Sequence, residues 1–117
     1  MKREFIEVEI FNKLWEKLGL SDENLKDLQE FLCINPDAGD VLQKTNGVRK
    51  LRWTIGNKGK RGGVRVLYID FVIFEKIYLL TVYKKGKKED ISENEKKLIR
   101  QLVDVLKNEL EAKNEKK

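Results

Sequence analysis

Gly47-Val48-Arg49-Lys50-Leu51-Arg52-Trp53-Thr54-Ile55, then Gly56-Asn57-Lys58-Gly59-Lys60-Arg61-Gly62-Gly63, then Val64-Arg65-Val66-Leu67-Tyr68 reads as strand, loop, strand. In the first piece the alternation from Arg49 puts Arg49, Leu51, Trp53 and Ile55 on one face. Lys50, Arg52 and Thr54 fall on the other, because successive side chains of a strand point to opposite faces. The middle piece is a loop by its glycines and polar residues. The third piece is β-rich and runs on to Phe71, with Arg65 inside it. A further β-rich run covers Ile77 to Tyr83, and Asp70 to Lys76 contains the connection between the two.

Upstream, Ile6, Val8 and Ile10 alternate with Glu7 and Glu9, which predicts a strand. Phe11 to Leu18 predicts a helix, with Leu14, Trp15 and Leu18 at helical spacing and Gly19 as its stop. Ser21 is suited to N-cap a second helix, with Asp22 and Glu23 in its first turn. That helix carries Leu25, Leu28, Phe31 and Leu32 on one stripe. It ends at Asn35-Pro36, since the residue before proline is pushed out of the helical region.

Downstream, Ser92 and Glu95 form a capping box. Leu98, Leu102, Val105 and Leu106 follow at helical spacing, with Ile99, Val103 and Leu110 widening the stripe. Lys113 to Lys117 reads as a frayed, solvated tail. The order β, α, α, β, β, β, α predicts an α+β fold in one domain, residues 1–117. Its core is a small antiparallel sheet with the N-terminal helices and the C-terminal helix packed on it.

Composition bounds the function. The 117 residues are enough for one core. The chain has no His, which excludes His-dependent triads, imidazole zinc sites and haem ligation through His. One Cys excludes an internal disulfide framework and a Cys-based zinc site. No apolar stretch approaches the roughly 20 residues of a membrane span. Met1 to Glu9 lacks the apolar core of a secretory signal. The expectation is a soluble protein of a reducing cytoplasm, with no membrane partner, no metal and no cofactor.

Charge is the most informative bulk property. Charged residues are 38% of the chain and its net charge is +5. Residues 1–40 hold ten acids and five bases, whereas residues 41–69 hold eight bases and no acid. An acid-free basic block in a mixed-charge chain is the footprint of a polyanion site. The bland alternative is a basic solvated face.

The glycine-rich basic loop fails as a P-loop, because no Gly-Lys in it is followed by Ser or Thr. It fails as a dinucleotide fingerprint because a strand, not a helix, follows. What remains is a cationic loop whose glycines allow close backbone approach to phosphates. Arg65 lies in an apolar strand, where an unpaired buried charge is costly, so its head reaches the surface or faces a site that wants a cation. Lys50 and Arg52 share a strand face with each other, and pairing around the loop brings Arg65 to them. Lys84 and Lys85 leave the last strand beside Tyr83. Trp15, Trp53, Phe31, Phe71 and Phe74 are expected in the core, Tyr68 and Tyr78 are ambiguous, and Cys33 reads as a small buried hydrophobe.

Four blocks in order resemble the RelE/HigB family of toxins from bacterial type II toxin–antitoxin systems, and within it the HigB-like branch. They are Gly47-Val48-Arg49-Lys50-Leu51-Arg52-Trp53, Gly59-Lys60-Arg61-Gly62-Gly63-Val64-Arg65-Val66-Leu67-Tyr68, Ile77 to Lys85, and Lys88-Glu89-Asp90-Ile91-Ser92. The resemblance spans essentially the whole chain. It implies a RelE-like fold and a ribosome-dependent mRNA endonuclease, or mRNA interferase, that cuts translated mRNA in the ribosomal A site. It implies a helix-turn-helix antitoxin partner, with operator DNA contacted only through that antitoxin. Carried over by position, the family's active-site residues fall on Lys50, Arg52, Arg65 and Lys85. The catalytic tyrosine of some members has no equivalent near Ile91 to Glu95, and Tyr83 is the candidate substitute.

RNA cleavage by the ribose 2′-OH needs no protein nucleophile or metal, only positioning, charge stabilisation and proton management. On this reading Arg65 stabilises transition-state charge, Lys50 and Arg52 grip phosphate, and Lys85 or Tyr83 moves protons. Arg49, Lys58, Lys60, Arg61 and Lys84 are the candidate RNA-binding residues. The rival readings are a gyrase-inhibiting ParE-type toxin and a non-catalytic RNA-binding module, because fold alone does not choose among functions.

Overall fold

The computed structural model of the protein describes residues 2–54, 63–84, 86 and 91–115. The elements are β1 (Glu4–Glu7), α1 (Glu9–Lys17), α2 (Asp22–Ile34), β2 (Asp40–Val41), β3 (Arg49–Trp53), β4 (Val64–Phe71), β5 (Lys76–Lys84) and α3 (Glu93–Glu115). They form one five-stranded sheet in the order β1-β5-β4-β3-β2. The α+β class is the one expected, and the two-residue β2 adds one strand to the expected order β, α, α, β, β, β, α.

The start of the chain departs from expectation. The alternation through Ile10 predicts a strand from Ile6 to Ile10, yet β1 ends at Glu7 and α1 begins at Glu9. Helical spacing of Phe11 and Trp15, both buried, outweighs the alternation, and Glu9 becomes the acid of the helix's first turn. β1 also lies parallel to β5, from Glu4 opposite Lys76 to Glu7 opposite Leu79, so the sheet is mixed rather than purely antiparallel. The intervening helices, strands and loops give β1 the long crossover that parallel pairing requires. Arg3 fastens this edge. Its guanidinium donates to both carboxylate oxygens of Asp70 at 2.7 and 3.1 Å, with both side chains nearly buried.

Both helix-capping expectations hold. Ser21 Oγ accepts from the Asn24 N–H while Asn24 Oδ1 accepts from the Ser21 N–H. Ser92 and Glu95 make the same reciprocal pair. Gly19, at φ +77°, closes the end of α1 where a side chain would be strained.

A β-bulge in β5 sets the two faces of the sheet. Leu67 pairs with Thr81 and Tyr68 with Leu79, leaving Leu80 as the extra residue. The slip lets Ile77, Leu79 and Val82 share one face and Tyr78 and Leu80 the other. Phe11, Trp15, Leu28 and Leu32 of α1 and α2 bury the first face against Leu51, Val66 and Tyr68. Val103, Leu106 and Leu110 of α3 bury the second against Leu67, Ile69, Tyr78 and Leu80. Each fully buried large apolar side chain contributes about 1.5–3 kcal/mol relative to exposure.

Three further expectations need correction. Leu98 and Val105 are exposed although their spacing assigns them to the buried stripe, because α3 meets the sheet through Val103, Leu106 and Leu110. α3 runs on to Glu115, so Lys113 is helical rather than part of a frayed tail. Cys33 is only half-buried, one residue before the helix ends. No described helix is long and apolar enough to cross a membrane.

Candidate functional site

The pairing of β3 with β4 builds the site. Lys50 lies opposite Leu67, and Arg52 lies opposite Arg65. Residues paired across neighbouring strands share a face, so all three cations stand on the face that α3 covers elsewhere. The apolar stripe of α3 meets Leu67 and Ile69. Lys50, Arg52, Arg65 and Asp40 line an open concavity of about 350 Å³. Among the described residues no hydrogen bond or ion pair engages any of these four side chains.

Asp40 is the member that sequence reasoning missed. It sits in the two-residue strand β2, directly opposite Lys50. A strand this short carries no readable periodicity. The one available signal is its place, immediately after Gly39 and immediately before the acid-free block.

The loop entering β2 is held by buried groups. Tyr68 Oη donates to the Pro36 carbonyl at 2.8 Å and accepts from the Gly39 N–H at 3.0 Å. Burial pushes the Tyr68 phenol above its ordinary value, with the Gly39 hydrogen bond opposing that shift. The backbone of Gly39 fits closely: a Cβ there would lie 2.9 Å from the Lys50 carbonyl oxygen and 3.1 Å from the Tyr68 ring.

The other sequence candidates are placed differently. Arg49 faces away from Lys50 and Arg52, and its guanidinium donates to the carbonyls of Gly39 at 2.7 Å and Asp37 at 3.2 Å. It therefore clamps the loop before β2 rather than joining the concavity. Tyr83 pairs with Arg65 across β4 and β5, while its ring packs with the α3-facing cluster. Lys84 is exposed at the end of β5, opposite Val64. Lys58, Lys60, Arg61 and Lys85 lie outside the described residues, as do most of the glycine-rich loop and the Lys88–Asp90 block. Among the described residues no three His, Cys, Asp or Glu side chains converge as a metal site requires.

This arrangement is suited to an anion. Three cations converge, two of them guanidiniums able to hold phosphate oxygens in a bidentate fork. The opposed guanidiniums of Arg52 and Arg65 are a mutually unfavourable pair.

The architecture is a RelE-like α+β fold. Among solved structures the chain is similar to the E. coli toxin RelE, in a free-state variant with two arginines replaced by alanine. The TM-score is 0.53, at 17% identity over 76% of this chain and 90% of that one. No protein-family model matches the chain.

Proposed function

We infer that the protein is the toxin of a type II toxin–antitoxin pair and acts as a metal-independent, ribosome-dependent mRNA endonuclease. The observation that carries this reading is the convergence of Lys50, Arg52 and Arg65 on one open concavity of a RelE-like sheet. The HigB-like sequence blocks add support, since Lys50, Arg52 and Arg65 are the positions onto which the family's active-site residues fall.

In this mechanism Arg65 and Arg52 hold the non-bridging oxygens of the scissile phosphate and stabilise the charge that grows on them. Lys50 grips the same or a neighbouring phosphate. Lys85 and Tyr83 remain candidates for moving protons, and Lys84 with the loop cations Lys58, Lys60 and Arg61 would contact RNA along the approach. The products are a 2′,3′-cyclic phosphate and a 5′-OH. Docking on ribosomal RNA weakens steeply with salt, as expected for a cationic surface that displaces counterions. A helix-turn-helix antitoxin neutralises the toxin, and the site of action is the cytoplasm.

The test is a reconstituted translation reaction in which mRNA integrity is followed with and without the protein. Cutting confined to ribosome-bound mRNA supports the reading. Intact mRNA together with loss of gyrase supercoiling moves the protein to the gyrase-inhibiting class. Intact mRNA with retained RNA binding makes it a binding module.

A further inference from the structure

Asp40 is a puzzle on any simple binding account. It lines the concavity with Lys50, Arg52 and Arg65. A carboxylate beside a phosphate site repels the ligand. If the surface only bound polyanions, it would bind better without this residue. Asp40 stands directly opposite Lys50, yet among the described residues no ion pair ties its carboxylate to the three cations.

Its placement is nonetheless closely determined. The residue before it, Gly39, is buried, gives its N–H to Tyr68 and takes a hydrogen bond from Arg49 on its carbonyl. The pairing of Asp40 with Lys50 then fixes which face its side chain takes. These contacts place the Asp40 backbone at the rim of the concavity, with its side chain exposed and free to reach a bound substrate.

Resting on the ribonuclease reading, we propose that the Asp40 carboxylate is the proton acceptor for the ribose 2′-OH. The chain has no His, and Lys, Arg and Tyr side chains are ordinarily protonated at neutral pH whereas carboxylates are not. Among the described residues Asp40 is the one acid lining the concavity. In the step, an oxygen of Asp40 takes the 2′-OH proton as the 2′ oxygen bonds to phosphorus. The bond from phosphorus to the 5′ oxygen breaks, and that oxygen takes a proton from water. A 2′,3′-cyclic phosphate and a 5′-OH result, with Arg52 and Arg65 holding the charge of the intermediate. Asp40 then returns its proton to solvent.

The proposal separates binding from chemistry in opposite directions. Single-turnover cutting of mRNA on programmed ribosomes, and sedimentation with those ribosomes, are measured for the full chain and for Asp40→Asn, Asp40→Glu and Asp40→Ala. Asp40→Asn is expected to bind as tightly as the wild type or more tightly while cutting about 10²–10⁴-fold more slowly. Asp40→Glu keeps part of the activity, and added formate restores part of it to Asp40→Ala. Cutting by Asp40→Asn at the wild-type rate, loss of binding in proportion to loss of cutting, or no restoration by formate overturns the proposal. A wild-type chain that leaves ribosome-bound mRNA intact overturns the ribonuclease reading itself, and the role of Asp40 with it.

Discussion

Arg52 and Arg65 stand directly opposite each other across β3 and β4, like charge against like charge. Directly opposed side chains have Cβ atoms only about 4.5–5.5 Å apart, and like charges there are destabilising. Lys50 adds a third cation on the same face. Asp40 stands opposite Lys50, so the opposed guanidiniums are the repulsive element of the face. On the proposed function, an incoming phosphate would relieve this repulsion.

Removing either guanidinium therefore separates stability from activity. Arg52→Ala and Arg65→Ala are each expected to leave unfolding free energy within about 0.5 kcal/mol of the wild type, or to raise it slightly. Each is expected to lower mRNA cutting by about 10²–10³-fold, the scale of losing one charge-stabilising donor. Urea unfolding and single-turnover cutting on the same preparations check both halves.

Gly39 supplies a second test. The Cβ of Gly39→Ala would meet the Lys50 carbonyl oxygen at 2.9 Å, a backbone contact that a rotamer change cannot relieve. The expected cost is about 1–3 kcal/mol, typical of overpacking. The loop that carries Asp40 must shift as well, so cutting is expected to fall even in the folded fraction. Chemical denaturation and activity per folded molecule distinguish the two effects.

Tyr68 links stability to alkaline pH. Burial raises its folded-state value, whereas an unfolded tyrosine ionises near about 10. As pH rises through that value the unfolded state loses its proton first. The unfolded state then binds fewer protons than the folded one, so stability falls. The decline runs from about pH 10 until the folded phenol also ionises. Tyr78, likewise raised by burial, contributes in the same direction. Tyr68→Phe should weaken the alkaline decline without abolishing it. Near neutrality it should cost about 1–3 kcal/mol, because the buried Gly39 N–H loses its acceptor. Urea unfolding between pH 7 and 11 measures both.

The Arg3–Asp70 pair holds the sheet edge far from the proposed chemistry. Both side chains are nearly buried and the contact is bidentate. Asp70→Ala leaves the partly buried guanidinium without its partner and is expected to cost about 1–3 kcal/mol. Cutting by the folded fraction should be unchanged at low temperature. Parallel melting and activity measurements check this, and a loss of activity in fully folded protein would contradict it.

The sequence made the central strands legible because their alternation is strict. Leu51 and Trp53 face one way, Lys50 and Arg52 the other, and this is the arrangement that the register reproduces. The N-cap at Ser21 and the capping box of Ser92 with Glu95 were legible because a local hydrogen-bonding rule acts over four residues, while Asn24 as the return partner of Ser21 was not. Long-range choices were not legible. The early alternation gave no sign that Ile10 would join a helix, since only the docking of Phe11 and Trp15 decides that. The parallel pairing of β1, the bulge at Leu80 and the two-residue strand bearing Asp40 all depend on partners distant in the chain. Arg49 illustrates the limit most clearly. Composition groups it with the acid-free basic block, and only tertiary structure reveals that Asp37 and Gly39 engage its guanidinium.

Primer extension on an mRNA under translation tests the central claim most directly, with wild-type protein, Arg65→Ala and a reaction lacking ribosomes run side by side. New 5′ ends within translated codons are expected with the wild type alone, and to vanish without ribosomes and with Arg65→Ala. Unchanged mRNA in the wild-type reaction, or equal cutting by Arg65→Ala, would contradict the account.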